Sequence, residues 1–383
     1  MISILENNIV VVVFPSIFSQ NKIGPLITNI KQVLKIQNQK FQKIRQDDKV
    51  IIVETDDPVF VSSTINDLFG IKNIAIAKQV KNDFKIIVEN ITKIATDLFL
   101  KNERFFLQVE GYSKGFVTRD VEVAATSSLI EKTVKKGIKP GTAEKYDRRL
   151  FVHLTKSSAY ICIYYDKGLE GIPNNSQNEK MVCCVFDELS AISCIETIKQ
   201  GFDVKIIVCY NKKSELLDLV KMINVIIHKT VQTRISLEFY KIDSDVKLPP
   251  IVLAEVVAGI LVKVAISVNI KRISLSISPI IHPLSFFEKI VKQIHSKGLV
   301  SYTPLTTLGE DIIDDAKEIG LEKYLNKIEK IGKTSFISSA SPKRKIENLV
   351  ERSMKTKKNV CVKLGVNNIH DIRDSLAAKE RRL

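Results

Sequence analysis

Met181-Val-Cys-Cys-Val-Phe-Asp-Glu-Leu-Ser-Ala-Ile-Ser-Cys-Ile-Glu-Thr-Ile-Lys-Gln-Gly201 reads as a buried strand, a short turn and an amphipathic helix, and Val204-Lys-Ile-Ile-Val-Cys-Tyr210 follows as a second strand. That order predicts a strand-to-helix turn at the carboxyl edge of a parallel sheet, where such folds hold nucleotides. A phosphate site there needs glycines, because only backbone without Cβ atoms lets several N–H groups close on an anion at the helix start. Here the turn is Val185-Phe-Asp-Glu-Leu-Ser190, with no glycine and two carboxylates that repel phosphate. The architecture predicts a nucleotide enzyme. The turn predicts a nucleotide site that has decayed.

Working outward, strands near 181, 204, 234 and 272 alternate with helices, the pattern of a doubly wound parallel sheet. Ile172-Pro-Asn-Asn-Ser-Gln-Asn-Glu179 is a turn-rich linker before them. Residues 83–171 form a different unit: a long helix over 83–101, a strand over 104–110, a helix over 119–136, and two strands, 150–154 and 159–165, closed as a hairpin. Up to about residue 80 the chain alternates strand (10–14), helix (25–44), strand (49–54), helix (after 58) and strand (74–77). That order suits a small ferredoxin-like α+β unit. A basic, helix-prone tail is expected from about residue 341.

At 383 residues the chain is too long for one ordinary core, and its 45% apolar content is ample for several. The formal charge of +15 points to a polyanionic partner, nucleic acid before membrane. Nine of the basic residues are Lys114, Arg119, Lys132, Lys135, Lys136, Lys139, Lys145, Arg148 and Arg149, against five acids over the same span. Lys135-Lys-Gly-Ile-Lys-Pro-Gly141 reads as a mobile basic loop, which suits phosphate contact because reach and charge matter there more than fixed geometry. Tyr112, Phe116 and Tyr146 are the candidate interleaved aromatics, so reading the backbone of folded RNA is favoured over stacking a single strand. Lys343-Arg-Lys345, Lys355, Lys357 and Lys358 are expected to add a second electrostatic contact.

Cys162, Cys183, Cys184, Cys194, Cys209 and Cys361 form no C-x-x-C pair, and buried free thiols in a reducing cytoplasm are expected. The five histidines lack ligand spacing, so no metal is expected. The first residues lack a basic n-region and a cleavage site, so they do not read as a secretion signal. The apolar run over 248–270 contains Glu255 and Lys263 and reads as a buried crossover helix. A cytoplasmic protein without a membrane partner is expected.

The order of units resembles the tRNA 4-thiouridine synthetases, also known as thiamine-biosynthesis tRNA sulfurtransferases. The resemblance implies an α/β and α+β multidomain chain. It has a ferredoxin-like N-terminal domain (1–80), a THUMP-like RNA-binding domain (81–173), a doubly wound parallel-sheet PP-loop-like domain (178–342) and a basic C-terminal tail (343–383). The words that carry it are Phe14-Pro15 with Thr28-Asn-Ile-Lys-Gln-Val-Leu34, Phe105-Phe-Leu-Gln-Val109 with Arg119-Asp-Val-Glu122, and Gly168-Leu-Glu-Gly-Ile-Pro173. Pro304-Leu-Thr-Thr-Leu-Gly-Glu-Asp-Ile-Ile-Asp-Asp-Ala-Lys-Glu-Ile-Gly320 and Ser339-Ala-Ser-Pro342 extend it.

The departures fall where the resemblance places chemistry. The family's S-G-G-x-D-S loop corresponds to Val185, Phe186, Asp187, Glu188, Leu189 and Ser190, with only the last serine kept. Leu275-Ser276-Ile277 stands where the family has T-G-E, and Ser335 falls near the cysteine that handles sulfur; a serine forms no persulfide. Cys183 and Cys184, on a strand, are expected to pack rather than carry sulfur. The expected protein therefore binds tRNA and acts in tRNA modification as a binding or accessory protein beside another modification enzyme, with no cofactor and no catalytic residue of its own. The alternative is an active ATP-dependent tRNA sulfurtransferase that forms 4-thiouridine using ATP and magnesium.

Overall fold

The computed structural model describes residues 8–244, 248–279, 281–306, 310–318, 320–321, 343–365 and 367–380. The chain divides into two compact units, Met1–Gly171 and Ile172–Leu383. The first opens with β1 (Ile9–Pro15), α1 (Ile23–Ile36), β2 (Lys43–Asp47), β3 (Val50–Glu54), α2 (Pro58–Asn66) and β4 (Ile71–Lys81). These strands lie in the order β2-β3-β1-β4, the ferredoxin-like arrangement. β2 takes residues expected at the end of the first helix. Lys43-Ile-Arg-Gln-Asp47 is an edge strand of mostly polar residues, so it carries little of the apolar alternation that marks a buried strand.

The unit continues with α3 (Phe84–Leu98), β5 (Arg104–Gly111), α4 (Thr118–Thr133), β6 (Lys139–Pro140), β7 (Arg148–Leu154) and β8 (Ser158–Glu170). β8 pairs antiparallel with β4 along its length, giving one eight-stranded sheet in the order β2-β3-β1-β4-β8-β7-β5-β6. The division expected after residue 80 therefore runs through a continuous sheet, where Lys81 itself pairs with Ser158. Alternation puts Ile87, Ile91, Val121, Ala125 and Leu129 of the helices against Leu107, Val152 and Ile161 of the strands. On the opposite face Val10, Val12, Ile52, Ala77, Tyr160 and Cys162 form a second core without helix residues. The sheet coils to bury it. Tyr160 and Thr155 donate to the Asp47 carboxylate at 2.5 and 2.9 Å, so β2 meets the β7–β8 hairpin across four places in the strand order.

The second unit alternates β9 (Lys180–Val185), α5 (Glu188–Lys199), β10 (Asp203–Tyr210), α6 (Leu216–His228), β11 (Arg234–Lys241), α7 (Pro250–Ser267), β12 (Arg272–Ser274), α8 (Leu284–His295), β13 (Val300–Tyr302) and α9 (Glu310–Glu318). Its sheet runs β13-β12-β9-β10-β11-β14, where β14 (Lys358–Lys363) is antiparallel to β11. α7 is long and apolar enough to cross a membrane, and most of it is buried inside this unit.

The tail expected from 343 is corrected by its own packing. Helix Lys343–Lys355 buries Ile346, Leu349 and Val350, and a Cβ on Gly259 of α7 would come within 2.7 Å of the Val350 side chain. Val360 and Val362 of β14 are buried, and Asn368, at the start of helix Ile369–Glu380, takes its backbone N–H to Asn224 Oδ1 at 2.7 Å. Lysine-rich composition hid a one-sided helix and an alternating strand.

Candidate nucleotide turn and nucleic-acid interface

β9 lies between β10 and β12 and is parallel to both. The chain reaches β12 only after β10, α6, β11 and α7, so the switch in strand order falls between β9 and β12, beside the turn that follows β9. At that turn Asp187 caps α5, its carboxylate accepting from Ser190 N at 2.8 Å. Ser190 Oγ accepts from the N–H of Phe186 at 2.8 Å and of Asp187 at 2.9 Å, and donates to Asp187 O at 2.7 Å. Three backbone donors that a phosphate loop aims at its anion are thus each taken by a side chain of the same turn. The Asp187 carboxylate also puts a negative charge at the positive end of α5. Glu188, Leu189 and Ser190 are buried.

Below the turn, Thr197 Oγ1 meets Ser274 Oγ at 2.7 Å, and Ser193 Oγ lies 3.4 Å from Ser274 Oγ. At the T-G-E position Leu275 and Ile277 face the core and are almost fully buried, while Ser276 between them is partly exposed. Burial lowers the His282 pKa and favours its neutral ring. Cys183 meets Cys194, and Cys184 meets Cys209; burial raises the Cys184 thiol, and contact with Cys183 followed by burial raises Cys194. Thiols held protonated in a core are poor nucleophiles. Ser335 and 339–342 lie outside the described residues. No group of three or more metal-ligating side chains occurs among the described residues.

The nine basic residues expected to meet RNA do not form one patch. Lys132, Lys135, Lys136, Lys139, Lys145, Arg148 and Arg149 gather near the amino ends of β5 and β7, which run parallel with Phe106 beside Arg149. Lys114 and Arg119 lie past the other end of β5, roughly 23 Å away at the usual rise per strand residue. Arg119 pairs with Glu122 at 3.1 Å, and Arg148 grips Glu103 with bonds of 3.2 and 3.1 Å. Lys136 donates to Thr96 O at 2.6 Å and so ties down the end of α3. Lys114, Lys132, Lys135, Lys139 and Lys145 are exposed and make no ion pair among the described residues. Lys136→Ala is expected to lower stability by about 1 kcal/mol without changing the salt dependence of RNA binding, and thermal melts beside a salt titration would check it.

Sequence reasoning missed an aromatic strip beside these lysines. The Arg149 guanidinium lies 5.2 Å from the ring centroids of both Phe151 and Tyr165, and Gln108 accepts from it at 2.7 Å. Tyr146, 41% exposed, packs on Phe106 at 5.7 Å between centroids. Tyr146 was an expected aromatic; Phe106 and Tyr165 were not, because both are distant from it in sequence, and only pairing of β5 with β7 sets Phe106 beside Arg149, whose guanidinium meets Tyr165.

No protein-family profile matches the chain. Over 188 residues it is 23% identical to a probable tRNA sulfurtransferase of Methanosarcina acetivorans, covering 49% of this chain and 45% of that protein. The chain thus spans about half the length of the curated relative it matches. A crystal structure of a 4-thiouridine synthetase–RNA complex with bound ATP superimposes with a TM-score of 0.67 and 14% identity, over 93% of this chain and all of that one. PH1313 from Pyrococcus horikoshii superimposes with a TM-score of 0.62 and 18% identity, over 82% of this chain and all of that one.

Proposed function

Starting from a chain that has the fold of a 4-thiouridine synthetase and is similar in sequence to a tRNA sulfurtransferase, we propose that it binds tRNA and serves tRNA modification without a nucleotide chemistry of its own. The observation that carries the second half is the turn after β9, where Asp187 and Ser190 satisfy the donors an anion would need. Supporting the first half are the exposed, unpaired lysines and the adjoining strip of Arg149, Tyr146 and Phe106. Lysines suit phosphates, and rings suit unstacked bases, so an RNA with a single-stranded portion fits this surface better than a duplex alone. The protein would then present tRNA to another modification enzyme in the cytoplasm, with no cofactor. The other reading, an active ATP-dependent tRNA sulfurtransferase forming 4-thiouridine, draws on the ATP bound in the similar synthetase structure.

The test of RNA binding is a salt titration with unmodified tRNA. Replacing Lys132, Lys135, Lys139 and Lys145 together by Ala should lower the salt slope by roughly three to four and weaken binding for every RNA alike. An unchanged slope and affinity would remove this surface from the interface.

A further inference from the structure

On the helix-bearing face of the first unit's sheet a groove of about 640 Å³ opens beside α2. Its apolar lining is Val59 of α2, Ile74 and Ile76 of β4, and Ile163 and Tyr164 of β8. A bulge between β4 and β8 leaves Ile163 as the extra residue, so that it and Tyr164 both line the groove. Val59 is 62% exposed and Tyr164 48%, more than a closed core would leave. Asp67 and Asp166 stand on the rim, and an adjoining cleft that shares Ile9 and Pro58 adds Glu54 and Asp56. Arg45 pairs with Glu54 at 3.1 Å and Gln42 donates to Asp56 at 2.6 Å, while Asp166 accepts from Tyr164. In a chain of net charge +15, no lysine or arginine lines either cleft among the described residues.

We propose that this groove is a docking site for a basic amphipathic helix of a partner protein. Ile74 and Ile76 of the floor are paired with β1 on one side and β8 on the other, so an extended peptide lying over them would find no open backbone edge to join. The remainder of this face is covered by helices, and a further helix completes the layer by laying apolar residues at i, i+3, i+4 and i+7 onto the isoleucines. The acidic rim selects lysine or arginine on the flanks of that helix and turns away the acidic helices that the rest of this cationic surface would attract. The inference does not depend on RNA binding: Ile163 of the groove packs on the helix-bearing core, whereas Tyr165, which Arg149 meets, packs on the core of the opposite face.

The experiment uses the full chain and a fluorescein-labelled helical peptide of about four turns, with leucine on one face and lysine on the other, beside its twin with glutamate for lysine. Fluorescence anisotropy should give micromolar affinity for the lysine peptide and none for the glutamate one. Ile76→Glu should weaken the complex at least about tenfold. Because that change reaches a half-buried residue, Asp67→Lys/Asp166→Lys on the exposed rim is the second arm. It should weaken binding about tenfold and flatten its salt dependence without weakening tRNA binding. Equal binding of the two peptides, absence of binding, or indifference to the rim variant would overturn the proposal. So would binding that emerges only after removal of residues 1–7, which would assign the groove to the chain's own amino terminus.

Discussion

Calorimetric titration with Mg·ATP is expected to show no micromolar binding, and incubation with ATP, a sulfur donor and tRNA is expected to yield no 4-thiouridine. A phosphate entering the turn after β9 would need the N–H groups of Phe186, Asp187 and Ser190, which the side chains of Asp187 and Ser190 already hold. It would also approach the Asp187 carboxylate. Two unit charges about 4 Å apart at an effective dielectric near 20 repel by roughly 4 kcal/mol, about a thousandfold in affinity. Magnesium offsets part of that repulsion but cannot free the donors. Asp187→Ala should cost about 0.5–2 kcal/mol of stability through the lost helix cap and change no activity. Micromolar ATP binding, with thiouridine that disappears in Asp187→Ala, would restore the active-enzyme reading.

Removing residues 353–383 is expected to abolish the cooperative thermal transition of the second unit. The deletion takes away β14 and with it the buried side chains Val360, Val362, Leu364, Ile372 and Leu376. At about 1.5–3 kcal/mol for each, the loss matches or exceeds the roughly 5–15 kcal/mol that holds an ordinary domain together. It also strips Lys357 from Glu238, which is buried and held by Lys205 at 2.7 Å, Lys357 at 3.0 Å and the Tyr240 hydroxyl at 2.7 Å. A melting curve unchanged by the deletion would return this segment to the status of a solvated tail.

Glu238 adds an acid limit to the same unit. Burial alone would raise its carboxyl, but hydrogen bonds from Lys205, Tyr240 and Lys357 outweigh burial and hold it below the usual carboxylate range. A carboxylate depressed in the folded state contributes stability above its unfolded pKa, near 4.5, and loses it as pH falls through the lower folded value. Glu238→Gln should therefore destabilise the unit at neutral pH by about 1.5–3 kcal/mol, since Lys205 and Lys357 lose a charged hydrogen-bond partner, and flatten the acid limb of the stability curve. Denaturant melts from pH 7 down to about pH 3 would show both effects.

Much of this molecule could be read from residue order. Apolar runs such as Val182-Cys-Cys-Val185 and Ile206-Ile-Val-Cys209, separated by helical periods, specify parallel strands because a strand buried on both faces must be apolar throughout. The missing glycines at 185–190 were equally plain, since a Cβ excludes an anion wherever the chain goes. The strand β2, the strand β14 and the buried face of the helix over 343–355 were not legible. Their polar or lysine-rich residues lie at edges and on one-sided surfaces, where composition resembles that of a loop or tail.

What only tertiary structure decided is which distant groups meet. Local sequence set the hydrophobic period and the turn chemistry, because both depend on neighbours within a few residues. Pairing between β4 and β8 made one sheet of two expected domains, and pairing of β5 with β7 split the nine basic residues into seven and two while setting Arg149 beside Phe106. Ser190 turned its hydroxyl onto the N–H groups before it rather than outward, which a retained serine alone did not reveal. Strand register and hydrogen-bond direction are settled by the free energy of the whole packed sheet, and no short stretch of chain contains that information.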